Sequence, residues 1–422
     1  MQQILVRSGA PLAGTVAVGG AKNSALKIMA ATLLAEGDYD IGNVPAITDV
    51  EIMGELLRSM GAEVRADASG HLHVRQGPRC GTEAPYELVE QMRASIVVLG
   101  PLLGRFGRAR VAMPGGDDFG SRPIDMHLSG LRQLGASIEL SHGYIDARAD
   151  RLMGTRVVLE FPSVGATENL LLAAVRAKGT TVIDNAAREP EISDLAAFLV
   201  RMGATIVGAG TSTIEVEGTD RLGAADHTVI PDRVEAATYL AALAVAGGEI
   251  TVEGARTEHM DMLIRKLGEM GLYIASTGRG LWAARPSRPR SADVSTLPYP
   301  GIATDYKPFL VTALAISDGV AIVTENLFAG RFRYVSELIR MGADIRTEGH
   351  HAVVRGVPRL SGAPVRASDI RAGAALVVAG LGAEGETVVA DAHHIARGYQ
   401  DLPGRLRALG ADVTWVDAGG ER

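Results

Sequence analysis

The 422-residue chain has a single cysteine, Cys80, so no internal disulfide can form and no thiolate cluster exists to hold zinc or an iron–sulfur centre. It also lacks a cationic excess. Its 42 Lys and Arg against 49 Asp and Glu leave a formal charge of −7, which offers phosphate backbones no generalised basic surface and argues against nucleic-acid binding through counterion release. Any anion site must then be a local basic pocket. Apolar stretches break well before the roughly 18 residues of a membrane span, so no membrane insertion is expected. The opening Met-Gln-Gln-Ile-Leu-Val-Arg lacks the basic-then-apolar pattern of a secretory leader, and with the lone cysteine it predicts a cytoplasmic protein. Aromatic residues supply only 4% of the chain, and no Ser/Pro-rich linker or low-complexity tract occurs. The hydrophobic fraction of 47% is that of a folded protein, whose core must be largely aliphatic.

What the chain has in plenty is glycine, 51 residues, and part of it is periodic. A phrase of leucine, polar residues, an apolar residue, glycine and then a strand recurs as LRSMGAEV, LRQLGASI, LVRMGATI, LGEMGLYI, LIRMGADI and LRALGADV. Its glycines, Gly61, Gly135, Gly203, Gly271, Gly342 and Gly410, are separated by 74, 68, 68, 71 and 68 residues. Each phrase reads as an amphipathic helix stopped by a glycine in the left-handed cap conformation and followed by a short strand. A second helix, apolar almost all round, occurs once per period, as in AKNSALKIMAATLLAEG, QMRASIVVLGPLLGRFG and SDIRAGAALVVAGLGAEG. A helix apolar on every side is a buried helix, so sheets should lie outside it. Solenoid periods usually run about 20–50 residues with degraded end copies. Six units of about 70 residues group better as two α/β domains of three units, with the crossover near Ala225–Pro231 and a cleft between the halves. We therefore expect one domain over residues 21–229, carrying Lys22 and the loop 112–122, and a second over 1–20 and 230–422.

Equivalent positions in six repeats should carry equivalent structural residues, so departures from the pattern are informative. Charged residues open the buried helices: Lys22-Asn23, Arg93, Asp232-Arg233, Asp305 and Asp369-Ile370-Arg371, together with the Ser163-Val164-Gly165 turn. A helix N-terminus presents free N–H groups and partial positive charge, and added Lys22, Arg93 or Arg371 makes an anion pocket of it. Arg122, Arg331 and Arg397 lie in loops. Each cation alone reads first as a solvated charge or a helix-end ion pair; together they shift the reading towards an anion site. The segment MPGGDDFGSRPIDMH, residues 112–127 with its flanking Ala112, is either an irregular turn or a mobile lid bearing a catalytic group. Asp305 fits both a helix cap and a general base. The pairs His350-His351 and His393-His394 lack metal-site spacing and read as turn residues. Cys80 has no nearby histidine and is a poor nucleophile.

The ordered phrases GGAKNS, MRAS, PGGxxxGSRPxDxH, SVGAT, NAAREPEI, TD, GRF, SDIRAG and HIxRGY resemble the UDP-N-acetylglucosamine 1-carboxyvinyltransferase family of enolpyruvyl transferases over essentially the whole chain. The resemblance implies two inside-out α/β barrels with helices inside and sheets outside, one completed by the N-terminal strand. It implies transfer of the enolpyruvyl group of phosphoenolpyruvate to the 3′-hydroxyl of UDP-N-acetylglucosamine with release of phosphate, the first committed step of peptidoglycan synthesis and so of cell-wall growth, cell shape and division. No cofactor or metal is implied. By match of motifs, Lys22, Asn23, Arg122, Arg331, Arg371 and Arg397 would hold phosphoenolpyruvate. Asn23, Arg93, Arg122, Pro123, Ile124, Asp125, Met126, Ser163, Val164, Asp305 and Leu327 would hold the sugar nucleotide. Asp305 would take the hydroxyl proton, and Asp117, with Lys22 and Arg397, would complete the catalytic set.

Asp117 stands where the family more often has cysteine, the residue alkylated by fosfomycin, and a carboxylate is far less nucleophilic towards that epoxide than a thiolate. Fosfomycin resistance is the expected consequence. Two further departures bear on the acceptor: Tyr306-Lys307-Pro308-Phe309 follows Asp305 where the family shows glutamine, and Phe161-Pro162 precedes SVGAT where some members place a lysine. A transferase for another uridine nucleotide, or a non-catalytic nucleotide-binding regulator, are the alternative readings.

Overall fold

The computed structural model describes residues 2–115, 123–328 and 330–417. Asp117 and Arg122, and with them most of the 112–122 loop, lie outside the described residues. The chain divides into two compact units, one of residues 20–115 and 123–230 and one of residues 2–19 with 231–328 and 330–417, each with its own apolar core. Both are built from three copies of one plan: inner helices that are buried on all sides, and a four-stranded sheet outside each.

The six periodic glycines set that plan. All take positive φ, from 88° at Gly410 to 107° at Gly203, where a side chain would be strained. In each copy the next residue donates its N–H back five positions, as in Ala62 to Leu57 at 3.1 Å, Ala204 to Leu199 at 3.0 Å and Ala411 to Leu406 at 3.1 Å. This is the helix stop that satisfies the last carbonyls and turns the chain into a strand.

In the unit containing the C-terminus, the inner helices Arg233–Ala246, Lys307–Ala315 and Ile370–Leu381 pack on one another, and every residue of Ile370–Leu381 is buried. The N-terminal residues finish two of its sheets. Gln2–Arg7 inserts antiparallel between Glu386–Ala390 and Asp412–Asp417, with Leu5 opposite Val388 and Thr414. Leu12–Ala17 runs parallel to Gly248–Glu253, with Gly14 opposite Ile250.

In the other unit the inner helices are Lys22–Ala31, Leu99–Phe106 and Val164–Ala174. The segment QMRASIVVLGPLLGRFG departs from the single helix expected of it. A tighter 3-10 stretch, Arg93–Val98, precedes the α-helix Leu99–Phe106. Pro101 is the physical reason: it has no N–H to give the carbonyl of Val97, and its ring opposes the regular turn upstream. Gly100 lets this helix approach the neighbouring one, because a Cβ there would sit 2.4 Å from the carbonyl oxygen of Asn169.

The histidine pairs are not all turn residues. His351 lies in the strand His351–Arg355, opposite Thr324 and Glu348, and His393-His394 form the one-turn helix His393–Ala396. No described helix is long and apolar enough to cross a membrane.

Candidate active site

In the unit of residues 20–230, Lys22 opens its inner helix with no side-chain cap before it. It does not wait there as an isolated cation. Its Nζ lies 2.7 Å from Oδ2 of Asp49, in the first turn of the outer helix Thr48–Ser59, and both side chains are buried. One turn on, Lys27 Nζ donates to the carbonyl oxygen of Asn23 at 2.9 Å and stands 3.4 Å from Oε1 of Glu168. Burial raises the Glu168 carboxyl to about 7, against the opposing pull of Lys27. Ser24 donates to Oδ2 of Asp194, whose other oxygen lies 2.8 Å from Nε2 of His227. That carboxylate ties the first turn of Lys22–Ala31 to the strand leaving the unit.

The segment after residue 122 carries Pro123, exposed, and Ile124, buried, before Asp125 and Met126 open the helix Asp125–Gln133. Arg93, half-buried, donates to the carbonyl oxygen of Pro114 at 3.4 Å. Next to Met126, His127 is buried with Nδ1 2.9 Å from the Asn169 amide, whose oxygen accepts from Gly100 N at 2.8 Å. Burial, reinforced by the charge of Arg93, lowers His127 to about 4, so its ring is neutral at pH 7. Ser163 caps Val164–Ala174, its hydroxyl accepting from Ala166 N at 3.3 Å. Phe161 is exposed before it.

In the unit of residues 231–417, Asp305 does not cap the following helix. The cap position is Tyr306. The carboxylate instead meets two guanidiniums, accepting from Arg331 Nη2 at 2.8 Å and Arg371 Nε at 3.4 Å. Both arginines are buried. Arg371 sits in the first turn of Ile370–Leu381, whose cap Asp369 accepts from the N–H groups of Arg371 and Ala372, each at 2.9 Å. Burial opposes the charge of Arg371, but Tyr399, Asp305 and Asp232 outweigh it and hold the guanidinium protonated. Arg397 is half-buried just past His393–Ala396. Leu327 is half-buried, and its N–H donates to Oε1 of Glu325 at 2.8 Å.

Sequence reasoning missed the carboxylates Asp49 and Glu325 and the His127–Asn169 contact. The departure from the family pattern at Tyr306 and Lys307 left the acceptor open; both side chains turn inward. The Tyr306 hydroxyl accepts from Arg233 Nη1 at 3.3 Å, and Lys307 is fully buried against Glu325 at 2.8 Å. Among the described residues, no three His, Cys, Asp or Glu side chains converge as a metal site. Buried cations grouped with carboxylates that hold their orientation suit binding of small polyanions and proton transfer beside them.

Comparison with known proteins agrees with that chemistry. The family model for EPSP synthase (3-phosphoshikimate 1-carboxyvinyltransferase) matches residues 6–406. A UDP-N-acetylglucosamine 1-carboxyvinyltransferase of Nocardia farcinica is 52% identical, over 98% of this chain and 99% of its own. Its namesake from Mycobacterium bovis is 51% identical, with 98% and 99% covered. Among solved structures, the enolpyruvyl transferase NikO of Streptomyces tendae matches 99% of both chains with a TM-score of 0.89 at 27% identity. An EPSP synthase of Acinetobacter baumannii shares the fold at a TM-score of 0.75 and 18% identity, covering 99% of this chain and 100% of its own.

Proposed function

The chain belongs to the EPSP synthase (3-phosphoshikimate 1-carboxyvinyltransferase) family, and from that premise we propose that it transfers the enolpyruvyl group of phosphoenolpyruvate to the 3′-hydroxyl of UDP-N-acetylglucosamine. The observation that carries this reading is the identity of about half of all residues, over nearly the full chain, with relatives named for that reaction. In the reaction the acceptor oxygen attacks C2 of phosphoenolpyruvate as a proton reaches C3. The resulting ketal then expels inorganic phosphate as C3 gives up a proton.

Such chemistry needs a base at the hydroxyl, an acid at the methylene carbon, and cations for phosphate and carboxylate. Asp305 serves as the base. Its oxygens already bind Arg331 and Arg371, so a polyanion that draws these guanidiniums to itself frees the carboxylate to accept a proton. Asp117 serves as the acid. Keeping an aspartate protonated near pH 7 rather than 3.9 costs roughly 4 kcal/mol, a cost that closure of the site and the adjacent Asp118 would offset. Lys22, Arg122, Arg331, Arg371 and Arg397 take the anionic groups of phosphoenolpyruvate. Asn23, Arg93, residues 122–126, Ser163, Val164 and Leu327 take the sugar nucleotide. The product feeds peptidoglycan synthesis in the cytoplasm, and Asp117 confers insensitivity to fosfomycin.

Tyr306 and Lys307 face inward, towards Arg233 and Glu325, so the departure at these positions offers no side chain to a different uridine nucleotide. Release of phosphate from phosphoenolpyruvate that depends on UDP-N-acetylglucosamine tests the proposal. Release with a different acceptor alone would replace it.

A further inference from the structure

We propose that Glu325, acting through the hydroxyl of Thr304 and joined by Lys307, is the positioning residue that sets Arg331 against Asp305. This inference rests on the reading of Asp305 and Arg331 as reaction-site groups. The Glu325 side chain is fully buried and receives five donors. Its Oε1 accepts from the Thr296 hydroxyl at 2.7 Å and from the N–H groups of Leu327 and Phe328 at 2.8 and 3.1 Å. Its Oε2 accepts from the Thr304 hydroxyl at 2.7 Å and faces Lys307 Nζ at 2.8 Å. One carboxylate thus fixes both the residue before Asp305 and the start of the loop that carries Leu327 and Arg331.

The direction of the relay is forced by chemistry. A guanidinium can only donate and an ionised carboxylate can only accept, so the single proton of Thr304 must point to Glu325. Its lone pair is then presented to Arg331, whose Nη1 donates to it at 3.0 Å. The other arm of the same guanidinium, Nη2, reaches Oδ1 of Asp305 at 2.8 Å. Lys307 secures the far end of Arg331: its Nζ donates to the Arg331 carbonyl oxygen at 2.6 Å and lies 3.8 Å from the centre of the Phe332 ring. Backbone and fork of Arg331 are therefore both referred to one buried ion pair. A pair so deeply buried is poor evidence for stability, since apolar replacements often stabilise as well. Its use is orientation.

Thr304→Val removes the relay while keeping the shape and both charges, and Thr304→Ser keeps the relay. With UDP-N-acetylglucosamine saturating, phosphate release by Thr304→Val should show kcat/KM for phosphoenolpyruvate lowered by about tenfold or more. Thr304→Ser should return to within about threefold of the unsubstituted chain, and the KM for UDP-N-acetylglucosamine should move less than about threefold in both. Thermal unfolding of the two variants should agree within a few degrees. Equal activity of Thr304→Val and Thr304→Ser overturns the inference, as does a loss in Thr304→Val that merely follows loss of fold. An unsubstituted chain that releases no phosphate with UDP-N-acetylglucosamine overturns the functional reading and this inference with it. Those results are distinguishable in the one assay.

Discussion

Oδ1 of Asp305 lies 2.8 Å from Nη2 of Arg331, while Oδ2 of the same carboxylate accepts from Arg371 at 3.4 Å. One carboxylate and two buried guanidiniums thus occupy one another. In the proposed reaction, a polyanion that draws the guanidiniums to itself would raise the affinity of Asp305 for the hydroxyl proton.

Asp305→Asn preserves shape and removes the proton acceptor. We expect kcat for phosphate release to fall by about 10² to 10⁴-fold, the usual contribution of a positioned general base, with the fold intact by circular dichroism. A decrease below about fivefold would assign the proton transfer elsewhere.

At position 117 the prediction is chemical. Preincubation of the unsubstituted chain with fosfomycin should leave its activity unchanged, whereas Asp117→Cys should gain time-dependent inactivation, because a thiolate opens the epoxide and a carboxylate does so far more slowly. Asp117→Asn, which cannot deliver a proton, should lose most activity. Full activity in that variant would end the role of Asp117 as the acid.

The buried Lys22–Asp49 pair, at 2.7 Å, gives a third test. Asp49→Asn leaves an ammonium buried without its carboxylate, which should cost about 3–5 kcal/mol in chemical denaturation. The KM for phosphoenolpyruvate should rise as the lysine loses its fixed direction. Unchanged stability and KM would show that Asp49 does neither.

His127 and Glu168 should drive stability in opposite directions with pH. His127 binds its proton near 4 in the native chain but near 6.5 when unfolded, so the unfolded chain holds more protons between those values and stability falls as acid is added. Glu168 is protonated below about 7 in the native chain but only below about 4.5 when unfolded, so stability falls as pH rises through that window. Each is worth up to about 3 kcal/mol, and over pH 4.5–6.5 the two oppose. Glu168→Gln should therefore make stability climb with pH more steeply than in the unsubstituted chain, and His127→Gln should make it decline. Urea midpoints at pH 4.5 and 6.5 measure both slopes, and parallel slopes in all three proteins would contradict the assignment.

The repeat was legible because its signal is local. A glycine at positive φ after an amphipathic helix, at Gly61 as at Gly410, marks the same turn wherever the helix ends up in space. The inner helices were legible for a similar reason, since Ile370–Leu381 has no polar face to show solvent. The break before Leu99 was missed because the apolar run 96–103 looks continuous unless the missing N–H of Pro101 is followed back to Val97. Cations at the starts of the apolar helices were readable, Lys22 and Arg371 among them. Their partners were not. Asp49 resembles any first-turn acid, and Glu325 any polar residue after a strand. Only the fold brings Asp49 to Lys22, across 27 residues, and Glu325 to Lys307. The meaning of Lys307 was hidden for the converse reason: two residues from Asp305 in sequence, it turns into the core.

Phosphate release from phosphoenolpyruvate, measured with UDP-N-acetylglucosamine, with other uridine nucleotides, with shikimate 3-phosphate and with no acceptor, tests the central claim most directly. Stoichiometric phosphate and an enolpyruvyl ether at the 3′-oxygen are expected with UDP-N-acetylglucosamine, and background release in every other arm. Background release with UDP-N-acetylglucosamine, or turnover with another acceptor in its place, would contradict that claim.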